Sequence, residues 1–206
     1  IEFSTTDGLS LWFYVEGGND INFDNISVVE LEEDRSVNAN GLTVNGTITR
    51  SPVAEGAELV GYTGFSASNY LEQPYNSDLD FGTGDFCLMS WLTPSPVYNT
   101  IYSRGDGQLE VLFDITNANK ARLYLWNGSS IIKMFEAETG LPNGVWAHYA
   151  VIRKNGVTSA YINGKFLVSD NGTYSALTFG SGVSTVGARV NGEIPNFTGS
   201  LALLRI

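Results

Sequence analysis

The chain has 206 residues, 43% hydrophobic and 12% aromatic, which suits one generous β domain with a large core and excludes a disordered chain. The formal charge is −11, and the 11 Lys and Arg are scattered; this excludes a nucleic-acid surface, which needs clustered cations. One cysteine, Cys87, allows no intrachain disulfide, and no apolar run approaches the roughly 20 residues of a membrane span.

No signal peptide is visible and position 1 is Ile, so the chain is expected to be a piece of a longer polypeptide. Residues 9–31, "LSLWFYVEGGNDINFDNISVVEL", read as a β-hairpin closing at 16–20. Charge concentrates in "ELEEDRSVNAN", residues 30–40, a plausible boundary. Residues 41–65 are strand-like but poor in apolar groups, and are expected to act as a connector.

Further on, runs rich in β-branched and aromatic residues follow one another: "CLMSWL", "LEVLFDI", "ARLYLW", "VWAHYAVIR" and "LALLRI". Asn-Gly pairs begin at Asn40, Asn45, Asn127, Asn143, Asn155, Asn163, Asn171 and Asn191. Both residue types tolerate positive φ, as tight hairpin turns require. No window sustains a helical period with caps. Short strands separated by dense turns predict an antiparallel sandwich or jelly roll.

The clearest local unit is "GVWAHYAVIRKNGVTSAYINGKFLVSD", residues 144–170. It predicts a three-stranded meander over 145–153, 157–162 and 166–169, turning at Asn155-Gly156 and Asn163-Gly164. Large apolar groups on both faces of the first strand predict a central position packed on two sides. Trp91 and Trp146 lie in the strongest strand patterns and are expected in the core.

Three separated segments carry a family resemblance. They are "NYLEQPYNSDLDFGTGDFCLMSWL", "GVWAHYAVIRKNGVTSAYINGKFL" and "STVGARVNGEIPNFTGSLALLRI". In this order they resemble the opening, the later hairpins and the ending of concanavalin A-like, laminin G-type jelly-roll domains. The resemblance covers residues 65–206. It implies an all-β antiparallel sandwich over that span, preceded by a β-hairpin over 1–33 and a connector over 34–64. The hairpin's "INFDNISVVE" is similar to the last strand of a carbohydrate-binding-module jelly roll. The 65–206 unit is expected to stay folded when 1–64 are removed.

"GFSASNYLEQPYNSDLDFGTGDF" resembles domains of bacteriophage tail-fibre and other virion surface proteins. This implies a location on the virion surface, and adhesion to a host-surface glycan or a neighbouring virion protein. A purely structural or oligomerisation module of a phage fibre is one alternative, and a glycan hydrolase on the same fold, disfavoured by the residues below, is the other. Residues 1–64 hold short strands, a charged break and a segment, 41–60, with too few apolar groups to bury a core alone, so they are expected to pack on the jelly roll or on copies of themselves, most simply in a homotrimer. Membrane insertion is not expected.

Asp78, Asp80 and Asp85 fall where the resemblance places a corner between strands. Asp and Gly suit a tight turn, whereas Ca²⁺ needs about six to eight oxygens from several loops. Turn chemistry is the expectation, Ca²⁺ the alternative, and no other cofactor is implied. The glucanases of this fold carry alternating acids on one strand; the nearest match, Glu30, Glu32 and Asp34, lacks their pattern and their apolar flanks. His148 and Cys87 sit in strand patterns and are expected as packed side chains, so no catalytic residue is expected. "RGD" at Arg104, Gly105 and Asp106 is read as part of a Gly-rich turn between strands. Sugar sites pair an aromatic platform with hydrogen-bonding groups; Trp126 with Asn127 offers this, and Tyr98, Tyr102, Arg104 and Asp106 are expected to converge nearby.

Overall fold

The computed structural model describes residues 40–105, 110–126, 131–170, 182–190 and 196–206, with short backbone pieces at 2–4, 10–12 and 31–32. The strands run in chain order as β1 (Glu2–Ser4), β2 (Ser10–Trp12), β3 (Leu31–Glu32), β4 (Leu42–Asn45), β5 (Thr49–Pro52), β6 (Val60–Thr63), β7 (Tyr70–Gln73), β8 (Phe86–Thr93), β9 (Asn99–Gly105), β10 (Glu110–Ile115), β11 (Ala121–Trp126), β12 (Ile131–Glu136), β13 (Ala147–Lys154), β14 (Val157–Ile162), β15 (Lys165–Asp170), β16 (Val183–Val186) and β17 (Ser200–Arg205). One sheet has the order β12-β11-β10-β9-β16-β7-β4-β3, and a second has β15-β14-β13-β8-β17-β6-β5. All described pairings are antiparallel. The all-β antiparallel sandwich is therefore as expected.

The meander forms where the Asn-Gly pairs place it. Asn155 and Gly156 have φ of 51° and 80°, and Asn163 and Gly164 have 49° and 75°. Two consecutive positive values are what a type I′ hairpin turn demands, and its twist matches the flanking strands. β13 pairs with both β14 and β8, which confirms its central place.

Period-two alternation builds the core. In β8, Phe86, Leu88, Ser90 and Leu92 are buried, while Cys87 and Met89 are half-buried. In β13, Ala147, Tyr149, Val151 and Arg153 are enclosed. From the other sheet come Tyr102, Phe113, Ile115 and Leu123. The rings of Phe86 and Phe113 meet edge-on at 6.0 Å, and those of Tyr102 and Phe113 lie 5.8 Å apart. Each fully buried aliphatic or aromatic side chain here contributes about 1.5–3 kcal/mol relative to exposure.

Two expectations are corrected. Trp91 is 40% exposed on the outer face, its ring 5.5 Å from that of His148. The inward set of β8 is fixed by Phe86, Leu88 and Leu92, and the odd register carries Trp91 to the opposite side. Trp146 is half-buried, its ring edge against Gly61, where a Cβ would lie 3.2 Å from the indole.

The segment expected to be a connector is woven into the sandwich instead. β4 pairs with β7, and β6 joins β17 to β5. Leu42, Val44, Ile48 and Tyr62 pack against the core. β5 closes its sheet with four exposed residues, and β4 and β6 need apolar groups only on the side that faces the core, so poverty of apolar groups did not signal exclusion from the sheets. The hairpin turn expected at 16–20 lies outside the described residues; β2 pairs with β1.

Candidate functional site

The acidic corner is a structural lock. The Asn76 side chain accepts from the Asp78 amide at 2.9 Å and caps a 3-10 turn over Ser77–Leu79. Asp80 Oδ1 then accepts from Arg104 Nη2 at 2.7 Å, and the Tyr75 hydroxyl donates to Asp80 Oδ2 at 2.9 Å. Arg104 Nη2 also donates to the Asn76 carbonyl at 3.0 Å, and Nη1 to Ser184 Oγ at 3.1 Å. Asp85 Oδ1 accepts from the Asn155 amide at 2.9 Å and ties this corner to the β13–β14 turn. Among the described residues, no three His, Cys, Asp or Glu side chains are grouped as metal ligands.

Arg104 and Gly105 belong to β9, not to a turn, and the Arg104 side chain is fully buried. Tyr102 is 1% exposed, and its hydroxyl lies 2.9 Å from Ser184 Oγ. Both residues therefore leave the candidate binding surface, and with a buried Arg the "RGD" tripeptide presents no guanidinium. Asp106 and Asn127 lie outside the described residues. Trp126 is the last residue of β11, in register with Glu110 and Ile131.

Tyr98, the remaining member, sits in a different company. It precedes β9 and is 42% exposed. The Arg122 guanidinium carbon lies 5.3 Å from the centre of its ring and 4.7 Å from that of Tyr124. Arg122 is held from behind by Asp114, its register partner across β10–β11. Nε donates to Oδ1 at 2.9 Å, and Nη2 donates to Oδ2. The Asp114 side chain has no exposed surface. Burial pushes the Asp114 carboxyl above the usual range; Arg122 pulls it back, Glu136 adds to the rise, and Arg189 opposes it.

Asp114 and Glu136 both act near Arg122, but this is not a glycosidase pair. Such pairs need a carboxyl open to the substrate, whereas Asp114 is enclosed and spends both oxygens on Arg122. The arrangement instead offers an exposed aromatic ring fixed on a rigid charge pair. Asp114, Arg122 and Tyr124 were missed in the sequence; Arg122 and Tyr124 at alternate positions of "ARLYLW" were the available signal. Burial pushes the half-buried Cys87 thiol up, away from the reactive thiolate. Of the acids Glu30, Glu32 and Asp34, the described part is the backbone of Glu32 in β3.

Residues 65–206 match the Concanavalin A-like lectin/glucanases superfamily. The chain belongs to that family, a lectin-like fold. No curated protein matches it. Domain 4 of AbnA, an extracellular arabinanase from Geobacillus stearothermophilus solved with arabinotriose, is similar at a TM-score of 0.59 and 19% identity over 86% of this chain and 80% of that one. The carbohydrate-binding module of a Ruminococcus gnavus sialidase, bound to α2,3-sialyllactose, gives 0.50 and 16% over 58% and 73%. The enzymatically active domain of tailspike protein 2 from bacteriophage CBA120 gives 0.55 and 18% over 79% of this chain and 28% of that one. At these identities the likeness is one of fold.

Proposed function

We propose that this chain is a non-enzymatic adhesion module that binds a host-surface glycan, with Tyr98, Trp126 and Asn127 as the residues that contact it. The observation that carries this is the exposed Tyr98 ring, set against a guanidinium that a buried carboxylate holds in place. A ring fixed before binding loses little conformational freedom on contact, which favours a flat sugar face. Two similar folds were solved with saccharides bound. The setting we propose is the surface of a phage virion, in a fibre or decoration protein, which the similar tailspike domain supports; the assembly we propose is a homotrimer. No helix of the described residues is long and apolar enough to cross a membrane.

Glycan arrays probed with the wild type, Tyr98→Ala and Trp126→Ala test the reading. Binding that both variants lose, while keeping the wild-type melting temperature, is the expected result. Unchanged binding in either folded variant removes that residue from the site. A loss of about 3–5 kcal/mol of stability in Trp126→Ala would mark it as a core-rim residue.

A second reading has its own observation. Trp91, Val157 and Phe166 are exposed on the β8–β13–β14–β15 side of the second sheet. Exposed apolar groups on an outer sheet face suit packing against another protein surface, as a structural fibre module requires. Sedimentation at rising concentration tests it: a species that stays monomeric removes self-association.

A further inference from the structure

We infer that Arg122 is the specificity-determining donor of the Tyr98 surface, its unengaged guanidinium edge reading two adjacent oxygen acceptors on the bound sugar; this rests on the glycan-binding reading of the same surface. The donors of a guanidinium lie in its plane and form a fixed fork. Asp114 takes one edge of that fork, with Nε donating to Oδ1 and Nη2 to Oδ2. Both hydrogens of Nη1 and the second hydrogen of Nη2 are left over. Among the described residues nothing accepts from Nη1, and Nη1 is not enclosed in the way that Arg104 Nε and Arg153 Nε are. The Arg122 side chain is 20% exposed, and that of Asp114 not at all. The engaged edge therefore points into the protein and the unengaged edge toward water.

Two features fit this edge to a saccharide. The centres of the Tyr98 and Tyr124 rings lie 5.3 and 4.7 Å from the guanidinium carbon. The rings pack against the charge and leave its in-plane edge for hydrogen bonding, with the exposed Tyr98 ring beside it for a sugar face. Asp114 also holds the fork before any ligand arrives, because turning Arg122 away would strand a carboxylate that has no access to water. A donor fixed in advance loses little freedom on binding. Parallel N–H groups on one edge match paired oxygens, which a sugar supplies as a vicinal diol or as a carboxylate. A lone hydroxyl would use only part of the fork.

The test compares wild type, Tyr98→Ala and Arg122→Lys against neutral pentose and hexose oligosaccharides, the same sugars with single hydroxyls removed, and oligosaccharides ending in sialic or uronic acid, at low and high NaCl. Lysine still neutralises Asp114 but carries no fork. The expected result is Tyr98-dependent binding that falls about tenfold or more in Arg122→Lys at an unchanged melting temperature. Where a diol is the acceptor, removing either hydroxyl of one adjacent pair costs wild type as much and costs Arg122→Lys little. Where a carboxylate is the acceptor, the acidic sugars bind best and salt weakens them. If Arg122→Lys does not fold, nitrogen–proton spectra of the wild-type side chains decide, and the Arg122 Nη1 signals are expected to shift with the sugars that bind. Equal Tyr98-dependent binding in folded Arg122→Lys and wild type, or Nη1 signals unmoved by those sugars, would overturn the inference and leave the glycan reading intact. Absence of Tyr98-dependent binding to every set would overturn both.

Discussion

Asp80 Oδ1 lies 2.7 Å from Arg104 Nη2, and the Arg104 side chain is wholly enclosed. The two residues stand 24 apart in the chain, on the corner before β8 and on β9. The corner is therefore fastened to the other sheet by a charge that has no access to water.

That pairing predicts a large penalty for its removal. Asp80→Ala leaves the Arg104 guanidinium buried without its carboxylate, and the expected loss is about 3–5 kcal/mol in urea denaturation. A loss under about 1 kcal/mol would show that Asn76 and Ser184 suffice to hold Arg104.

Alkaline stability follows from two enclosed phenols. Burial pushes Tyr102 up from 10.0 to about 12, and raises Tyr149 as well. The Tyr149 hydroxyl is buried without a hydrogen-bond partner. A folded value above the unfolded one means the native state holds its proton longer. The contribution is whole below pH 10 and is lost as pH rises toward 12, at up to about 1.4 kcal/mol per pH unit for each tyrosine. Phenolate absorbance and unfolding followed together should show these two ionising last. Full ionisation of all tyrosines near pH 10 in a folded chain would refute it.

The outer position of Trp91 predicts tolerance where the neighbouring strand position has none. Trp91→Gln loses a cross-strand contact with His148 and should cost about 1 kcal/mol. Leu88→Asn places an unpartnered amide in the core and should cost more than about 4 kcal/mol. Chemical denaturation of the two variants decides; equal losses would return Trp91 to the core.

Truncation tests the woven-in segment. A chain of residues 65–206 lacks β4, β5 and β6, which bares β7 on one sheet and β17 on the other. Against the expectation from the sequence, it should melt well below the full chain and self-associate through the new edges. Matching melting temperatures for the two chains would restore the connector reading.

The strands and their turns were legible because their signals are local. Asn155-Gly156 and Asn163-Gly164 specify their hairpins whatever surrounds them. Which side of β8 faces inward was not legible, since both registers carry apolar residues and the choice is made by strands distant in sequence. Arg104 illustrates the same limit. A glycine-flanked arginine reads as a loop residue until Asp80 and Ser184 are brought to it across the sandwich. The Tyr98 surface was half legible. Its aromatic ring was visible as a candidate, but the partners that fix the ring come from β10 and β11.

The second sheet ends in β5, whose four residues are all exposed. The strand carries Arg50 and finishes on Pro52, a residue with no amide hydrogen to donate. A foreign strand arriving at this border meets an incomplete ladder and a positive charge, both of which oppose strand addition. Polymerisation by sheet extension is thereby discouraged on this side, and copies of the chain that meet across this border must do so through side-chain surfaces. Any filament built from this protein would then owe its order to complementary faces, not to a shared hydrogen-bond ladder through β5.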